Sequence, residues 1–342
     1  MKKILYIGNN LKNSKSNVSG IQILGPLLES EGHVVYYASS KANKLLRLLD
    51  MITSCLWYSK KVDVVLIDTY STQNFYYAWV IGLICRRYKL PYMPILHGGD
   101  LPKRLQSHPS KSDTLFNNAI CCIAPSLYIK EAFEQKGYRP IVYIPNAIEM
   151  VNYPISKKTF EIPKLLWVRS FSKIYNPTLA ISVLKSLQDR FPEAELCMVG
   201  PDSDGSLKAV IDLANELHVA VKITGKLTKT EWIHLSKDYN IFINTTNFDN
   251  MPVSVIEAMA LGLPVVSTNV GGMPYLITNQ REGILVNPDN VLDMVNAIQG
   301  VMSDRLKREE IIRNARLKAE QLDWKHIKKQ WIDILEQEHD EF

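Results

Sequence analysis

Short apolar runs alternate with helical stretches along the whole chain, and this alternation limits the fold more than any other feature. In the first half the runs are Ile4–Ile7, Val34–Ala38, Val62–Ile67, Tyr92–Leu96, Ile120–Ala124 and Ile141–Ile144, with helical patterns such as Gly20–Ser30 and Ser126–Lys136 between them. Strands that each feed a helix pair in parallel and are covered on both faces. The pattern pauses from Asn152 to Pro163, where prolines and lysines give a linker composition. It resumes with Leu165–Val168, Glu195–Val199, Val221–Thr224, Ile241–Asn244, Val265–Ser267 and Ile284–Val286. The expected architecture is α/β, two Rossmann-like, doubly wound parallel sheets in tandem. A chain of 342 residues, 46% of them hydrophobic, suits two cores better than one. The expected domains are 1–150 and 163–322. The tail 323–342 carries Trp324, Ile327, Trp331 and Leu335 on one helical stripe, which needs a surface to pack on. Open parallel sheets bind ligands beyond their strand C-termini. Two such edges facing each other predict an interdomain cleft.

Composition removes several classes. The net charge of +5, from 40 basic and 35 acidic residues, suits a phosphate site or an anionic membrane but does not mark a nucleic-acid binder. Cys55, Cys85, Cys121, Cys122 and Cys197 form no C-x-x-C pair, so they read as reduced thiols of a cytosolic protein without a zinc site. The first apolar run is too short for a signal peptide, and Phe75 to Cys85 is too short to span a bilayer. The loop from Asn9 to Gly20 lacks G-x-G-x-x-G, which argues against a nicotinamide cofactor.

The segment from Asn244 to Ser267 carries the most chemistry. A strand ends near Asn244, a polar loop follows, and a helix bracketed by Pro252 and Gly262 begins. Its free N–H groups and positive dipole end suit a diphosphate. Asp249 stands just before the helix and Glu257 in its second turn, where carboxylates can accept hydrogen bonds from sugar or ribose hydroxyls.

This segment resembles the signature of glycosyltransferase family four, retaining enzymes of the GT-B fold: two carboxylates eight positions apart, then Ala-Met-Ala-x-Gly-x-Pro-Val-Val. Here these are Asp249, Glu257 and Ala258-Met259-Ala260-Leu261-Gly262-Leu263-Pro264-Val265-Val266. Val270-Gly271-Gly272-Met273-Pro274, Glu282-Gly283-Ile284-Leu285-Val286 and Pro145-Asn146-Ala147-Ile148-Glu149 are similar to further landmarks of the family. The resemblance implies that the tail around Trp324 crosses back to the first domain. It implies that Glu257 holds the nucleotide ribose and that Asp249, shorter by a methylene than the family's glutamate, meets the donor sugar. Asn250, Met251, Pro252, Val253 and Ser254 then line the donor phosphates. Arg169 and Lys173 follow the first strand of the second domain, where the family places an arginine and a lysine on the diphosphate, in the absence of a bound metal. Gly20 resembles the glycine of a loop that meets donor phosphates, although an ordinary turn accounts for it equally well. His97, in His97-Gly98-Gly99-Asp100, stands where a family histidine lies near the transferred sugar. Gly98 and Asp100, with neighbouring Lys103 and Arg104, are acceptor-side candidates.

The expected function is sugar transfer with retention, from a UDP- or GDP-sugar co-substrate to a glycan, glycolipid or lipid-linked acceptor, without a cofactor or metal and in the cytoplasm. Lys41 to Lys61 is a basic, aromatic-rich amphipathic helix. It either packs on the first sheet or lies on an anionic membrane at the inner face of the plasma membrane. A nucleotide-sugar epimerase, a non-catalytic nucleotide-sugar-binding homologue and, more remotely, a dehydrogenase are the alternative readings.

Overall fold

The structure is a computed structural model and describes residues 1–11 and 19–337. Residues 12–18 of the loop between Asn9 and Gly20, and the last residues from 338, lie outside the described residues. The chain divides into two compact units at Asn146/Ala147 and again at Asp323/Trp324.

The first unit runs β1 (Lys3–Ile7), α1 (Gly20–Ser30), β2 (Val34–Ala38), α2 (Lys44–Tyr58), β3 (Val64–Thr69), α3 (Asn74–Arg87), β4 (Tyr92–Leu96), α4 (Leu101–Ser107), α5 (Pro109–Phe116), β5 (Cys122–Ala124), α6 (Leu127–Glu134) and β6 (Ile141–Tyr143). Its strands are all parallel, in the order β2-β1-β3-β4-β5-β6. Every residue of β3 and β4 is buried, as expected for a parallel sheet covered on both faces. From β1 the chain winds first to β2 and then back past β1 to β3. The direction splits between β1 and β3, the place where open parallel sheets generally bind ligands, beyond the C-terminal ends of the strands.

The second unit runs β7 (Lys164–Val168), α7 (Pro177–Gln188), β8 (Glu195–Val199), α8 (Ser206–Glu216), β9 (Lys222–Gly225), α9 (Lys229–Leu235), β10 (Ile241–Asn244), α10 (Val253–Ala260), β11 (Val265–Thr268), α11 (Met273–Leu276), β12 (Ile284–Val286), α12 (Val291–Ser303) and α13 (Arg305–Gln321). The order β12-β11-β10-β7-β8-β9, again all parallel, puts its switch point between β7 and β10. The chain then returns to the first unit as α14 (Trp324–Glu336). Trp324, Ile327, Trp331 and Leu335 are all buried, and Trp324 donates its indole N–H to Glu31 Oε1 at 3.1 Å.

Three expectations need correction. Residues 152–163 are not a free linker, because the chain from Ala147 onward belongs to the second unit. Tyr153 is 1% exposed in that unit's core, and Asn240 Nδ2 donates to the carbonyls of Thr159 (2.8 Å) and Ile162 (2.7 Å). Strand β3 runs on past Ile67 to Asp68 and Thr69. Pro252 caps α10 in an extended conformation and does not occupy its first helical position. Helix α2 takes the first of the two placements expected for it: Met51 and Cys55 join the core of the first sheet, with Arg47 turned inward beside them. The guanidinium donates to the carbonyls of Lys41 and Ala42 (each 2.8 Å) and to Asn9 Oδ1 (3.0 Å). A second apolar stripe on the helix faces outward: Leu45 is 65% exposed, Leu46 55%, Leu49 48%, Leu56 40% and Trp57 68%.

Candidate functional site

Arg169 follows β7 and Asp249 lies in the loop after β10, so the two sides of the second switch point bring them together. Nη2 of Arg169 ion-pairs with Oδ2 of Asp249, and both side chains are mostly buried. The other carboxylate oxygen accepts the Asn250 N–H at 2.9 Å. The guanidinium sits 4.6 Å from the ring centroid of Tyr175. Burial lowers its pKa from the usual arginine value, with Tyr175 opposing. A group that starts so high remains a cation at neutral pH.

The backbone around this pair leaves no room for side chains. A Cβ on Gly200 would meet the Arg169 carbonyl oxygen at 1.7 Å, and one on Gly272 would meet the Asn250 carbonyl oxygen at 1.7 Å. Gly271, at φ +53°, would drive a Cβ to 2.1 Å from the Asp249 carbonyl oxygen. The loops after β7 and β10 are also stitched to each other. Asn247 N–H donates to the Ile174 carbonyl, and Thr245 Oγ1 to the Tyr175 carbonyl, each at 2.8 Å.

Helix α10 opens beside this layer. Among the described residues, no side chain caps it. Asn250, Met251 and Pro252 are buried in the approach to it, and Val253 packs partly on the core. The Oγ of Ser254 and the Nε of Arg169 are buried without a hydrogen-bond partner among the described residues. Each stranded donor costs about 1–3 kcal/mol. An anion at the helix start would satisfy both donors together with the first-turn N–H groups. Lys173 lies on the same loop as Arg169. Its side chain is exposed, and its N–H donates to Asp204 Oδ2 at 3.0 Å.

Glu257 is 5% exposed, one turn further along α10. Its Oε1 accepts the Tyr153 hydroxyl at 2.6 Å and the Lys229 ammonium at 3.0 Å. Burial and the Glu257 carboxylate push the Tyr153 phenol far above its usual pKa, so it stays a donor. Arg316 donates to the carbonyls of Tyr153 (2.7 Å) and Ala260, fastening the tyrosine to the end of α10. Sequence reasoning missed Tyr153 and Lys229. The available signal was the capping pattern Thr228-x-x-Glu231, both halves of which form and place Lys229 at the start of α9.

In the first unit, Gly20 and His97 meet around a residue the sequence did not mark. His97 Nε2 lies 2.9 Å from Oδ1 of Asp68 at the end of β3. The Tyr6 hydroxyl donates to the same oxygen at 2.9 Å, and Ile21 N–H donates to Oδ2 at 3.2 Å. A Cβ on Gly20 would sit 2.6 Å from His97 Nε2, and one on Gly98 would sit 2.3 Å from the Ser71 amide nitrogen. Asp100 is exposed at the start of α4 and makes no side-chain cap. Lys103 is exposed, whereas Arg104 is tied to the Ser71 carbonyl (Nε, 3.0 Å) and stacks near Phe75 and Tyr76. Among the described residues, no three His, Cys, Asp or Glu side chains gather as a metal site.

The family model described as glycosyl transferases group 1 matches residues 155–318. These residues form a group 1 glycosyl transferase domain. It contains Arg169, Lys173, Lys229, Asp249 and Glu257, and it begins just after Tyr153. The sulfoquinovosyl transferase of Arabidopsis thaliana is 33% identical over 149 residues, which is 43% of this chain and 28% of that protein. The D-inositol 3-phosphate glycosyltransferase of Gordonia bronchialis is 32% identical over 149 residues, 42% of this chain and 32% of that protein. The chain thus spans about a third of the length of these curated relatives. Among solved structures, sucrose-phosphate synthase from Thermosynechococcus elongatus superimposes with a TM-score of 0.79 at 18% identity, covering 98% of both chains. Anabaena HepE in complex with UDP-glucose gives a TM-score of 0.80 at 18% identity, covering 98% of this chain and 99% of its own. The glycosyl transferase domain and the unit before it therefore share the GT-B fold of two Rossmann-like domains.

Proposed function

We propose that the chain is a retaining, metal-independent glycosyltransferase that moves a sugar from a nucleotide-sugar donor, a UDP- or GDP-sugar, to a glycan, glycolipid or lipid-linked acceptor. The observation that carries this reading is the layer made by Arg169, Asp249 and the first turn of α10 at the switch point of the second sheet. The donor diphosphate rests on that helix start, on Arg169 and on Lys173. The ribose hydroxyls go to Glu257, whose partners among the described residues bind Oε1. Negative charge grows on the leaving diphosphate, and fixed cations and amide dipoles stabilise it without reorganising. Asp249 orients the guanidinium as well as meeting the donor sugar. The acceptor attacks on the face the diphosphate leaves, and the departing phosphate takes its proton. The relatives' names and the UDP-glucose held by HepE support a nucleotide-sugar donor. Products separate this reading from its rivals. Incubation with nucleotide sugars and mixed acceptors should give a nucleoside diphosphate and a glycosylated product. A free epimerised nucleotide sugar would mean an epimerase, and binding without any product would mean a non-catalytic homologue.

The same reading extends to an anionic lipid surface. Leu45, Leu49 and Leu56 recur at helical spacing on the outer face of α2, and Leu46 and Trp57 form the adjoining row. Exposed Lys41, Lys44, Lys60 and Lys61 flank this stripe against the single acidic Asp50 on the helix. That combination suits insertion at an anionic headgroup layer. Among the described residues, no helix is long and apolar enough to cross a membrane. The chain should cosediment at low salt with phosphatidylcholine vesicles containing phosphatidylglycerol. Combining Leu45→Ser, Leu49→Ser and Trp57→Ser should weaken that binding at least ~10-fold. A chain that stays in the supernatant, or that uses this face to dimerise in solution, would overturn the lipid assignment.

A further inference from the structure

The reaction above leaves Asp68 without a task, although its surroundings are elaborately built. Its side chain is fully shielded from solvent. A carboxylate in such a place is costly unless partners surround it. Three elements converge on the end of β3 to supply them: β1 through Tyr6, α1 through Ile21, and β4 through His97 just beyond its end. Two glycines make the approach possible. A Cβ on Gly8 would lie 2.6 Å from Asp68 Oδ2, and one on Gly20 would lie 3.3 Å from Oδ1. Among the described residues, no lysine or arginine ion-pairs with Asp68; His97 fills that position.

The Asp68–His97 pair has a direction. Tyr6 and Ile21 already donate to Asp68, which acts as an acceptor, so Nε2 of His97 is the nitrogen that carries the proton. Nδ1 has no hydrogen bond among the described residues. The His97 side chain is 15% exposed, against 0% for Asp68, so the imidazole is the outward end of the pair. Tyr70 stacks on the ring with centroids 5.5 Å apart, which limits its rotation. In the neutral ring, the partner of one nitrogen sets the role of the other.

We propose that Asp68 is the positioning residue of the first unit's site: it holds His97 in the Nε2–H tautomer and so presents Nδ1 as an acceptor to a hydroxyl of the ligand. The ligand class, a sugar hydroxyl, rests on the sugar-transfer reading; the tautomer does not. The test uses the full chain with 15N-labelled histidine. Two-bond 15N–1H correlation spectra at neutral pH would be recorded, with His97 assigned by His97→Gln. The wild type should show the Nε2–H pattern. Asp68→Asn should invert it, because the amide donates to Nε2 and drives the proton to Nδ1, and turnover should fall about 10²-fold. Tyr6→Phe removes one donor to Asp68 and leaves the pair intact, so it should keep the wild-type pattern; it also serves if Asp68→Asn does not fold. An Nδ1–H pattern in the wild type, or an unchanged pattern in folded Asp68→Asn, would overturn the proposal. The expected spectra without sugar transfer would support the positioning role and count against the transfer reading alone.

Discussion

Arg169→Ala should lower sugar transfer by about 10²- to 10³-fold, the usual loss when one fixed donor to a developing negative charge is removed. A second effect will accompany it. In the resting protein the guanidinium neutralises Asp249, and both side chains are mostly buried. Removing the cation strands a carboxylate that keeps the Asn250 N–H as a partner. Breaking a fully buried pair costs about 3–5 kcal/mol. Both groups retain some solvent contact, so a loss of about 2 kcal/mol in stability is expected. The two effects separate in a double-mutant cycle. Adding Asp249→Asn to Arg169→Ala should restore most of the melting temperature and none of the turnover. Recovery of both together would make the arginine structural and remove its role on the diphosphate.

Glu257→Ala should weaken nucleoside-diphosphate binding by about 10- to 100-fold, the equivalent of one hydrogen bond to a charged group. Calorimetric titration of the folded variant measures it directly. The variant also strands the buried Tyr153 hydroxyl, which should cost about 1–3 kcal/mol of stability. Glu257→Gln keeps an acceptor for Tyr153 and loses the ion pair with Lys229. It should therefore be nearly as stable as wild type and still bind more weakly. Unchanged affinity in both variants would place the ribose elsewhere.

The strands were legible because parallel sheets covered on both faces demand continuous apolar runs, and eleven residues of β3 and β4 comply by being buried. The same rule hid Asp68 and Thr69. A strand end defined by apolar residues stops at Ile67, whereas the last two positions of β3 are polar and satisfied internally: Thr69 Oγ1 bonds the Ile67 carbonyl at 3.0 Å. Tyr153 was hidden by its neighbourhood. Prolines and lysines around it read as a linker, yet its ring fills the core behind α10. Arg169 and Asp249 were each named as candidates from the family resemblance and from their places after strands. Their pairing was not, because it depends on β10 lying next to β7, a matter of sheet order. Lys229 is similar: local sequence sets the start of α9, and only the tertiary structure brings its ammonium to Glu257. The glycines at 271 and 272 belonged to a recognised motif. Their physical reason, two carbonyls of the Asp249–Asn250 segment pressed against them, appears only in three dimensions.

A nucleotide sugar should bind the folded chain. Thermal unfolding against a panel of UDP-, GDP- and ADP-sugars, with NAD as a counter-ligand, tests this most directly. At a hundred times its dissociation constant, the true donor should stabilise the protein by about 2.7 kcal/mol. That gain should shrink in Glu257→Ala, and NAD should give none. No shift with any nucleotide sugar, or an equal shift in wild type and Glu257→Ala, would contradict the account.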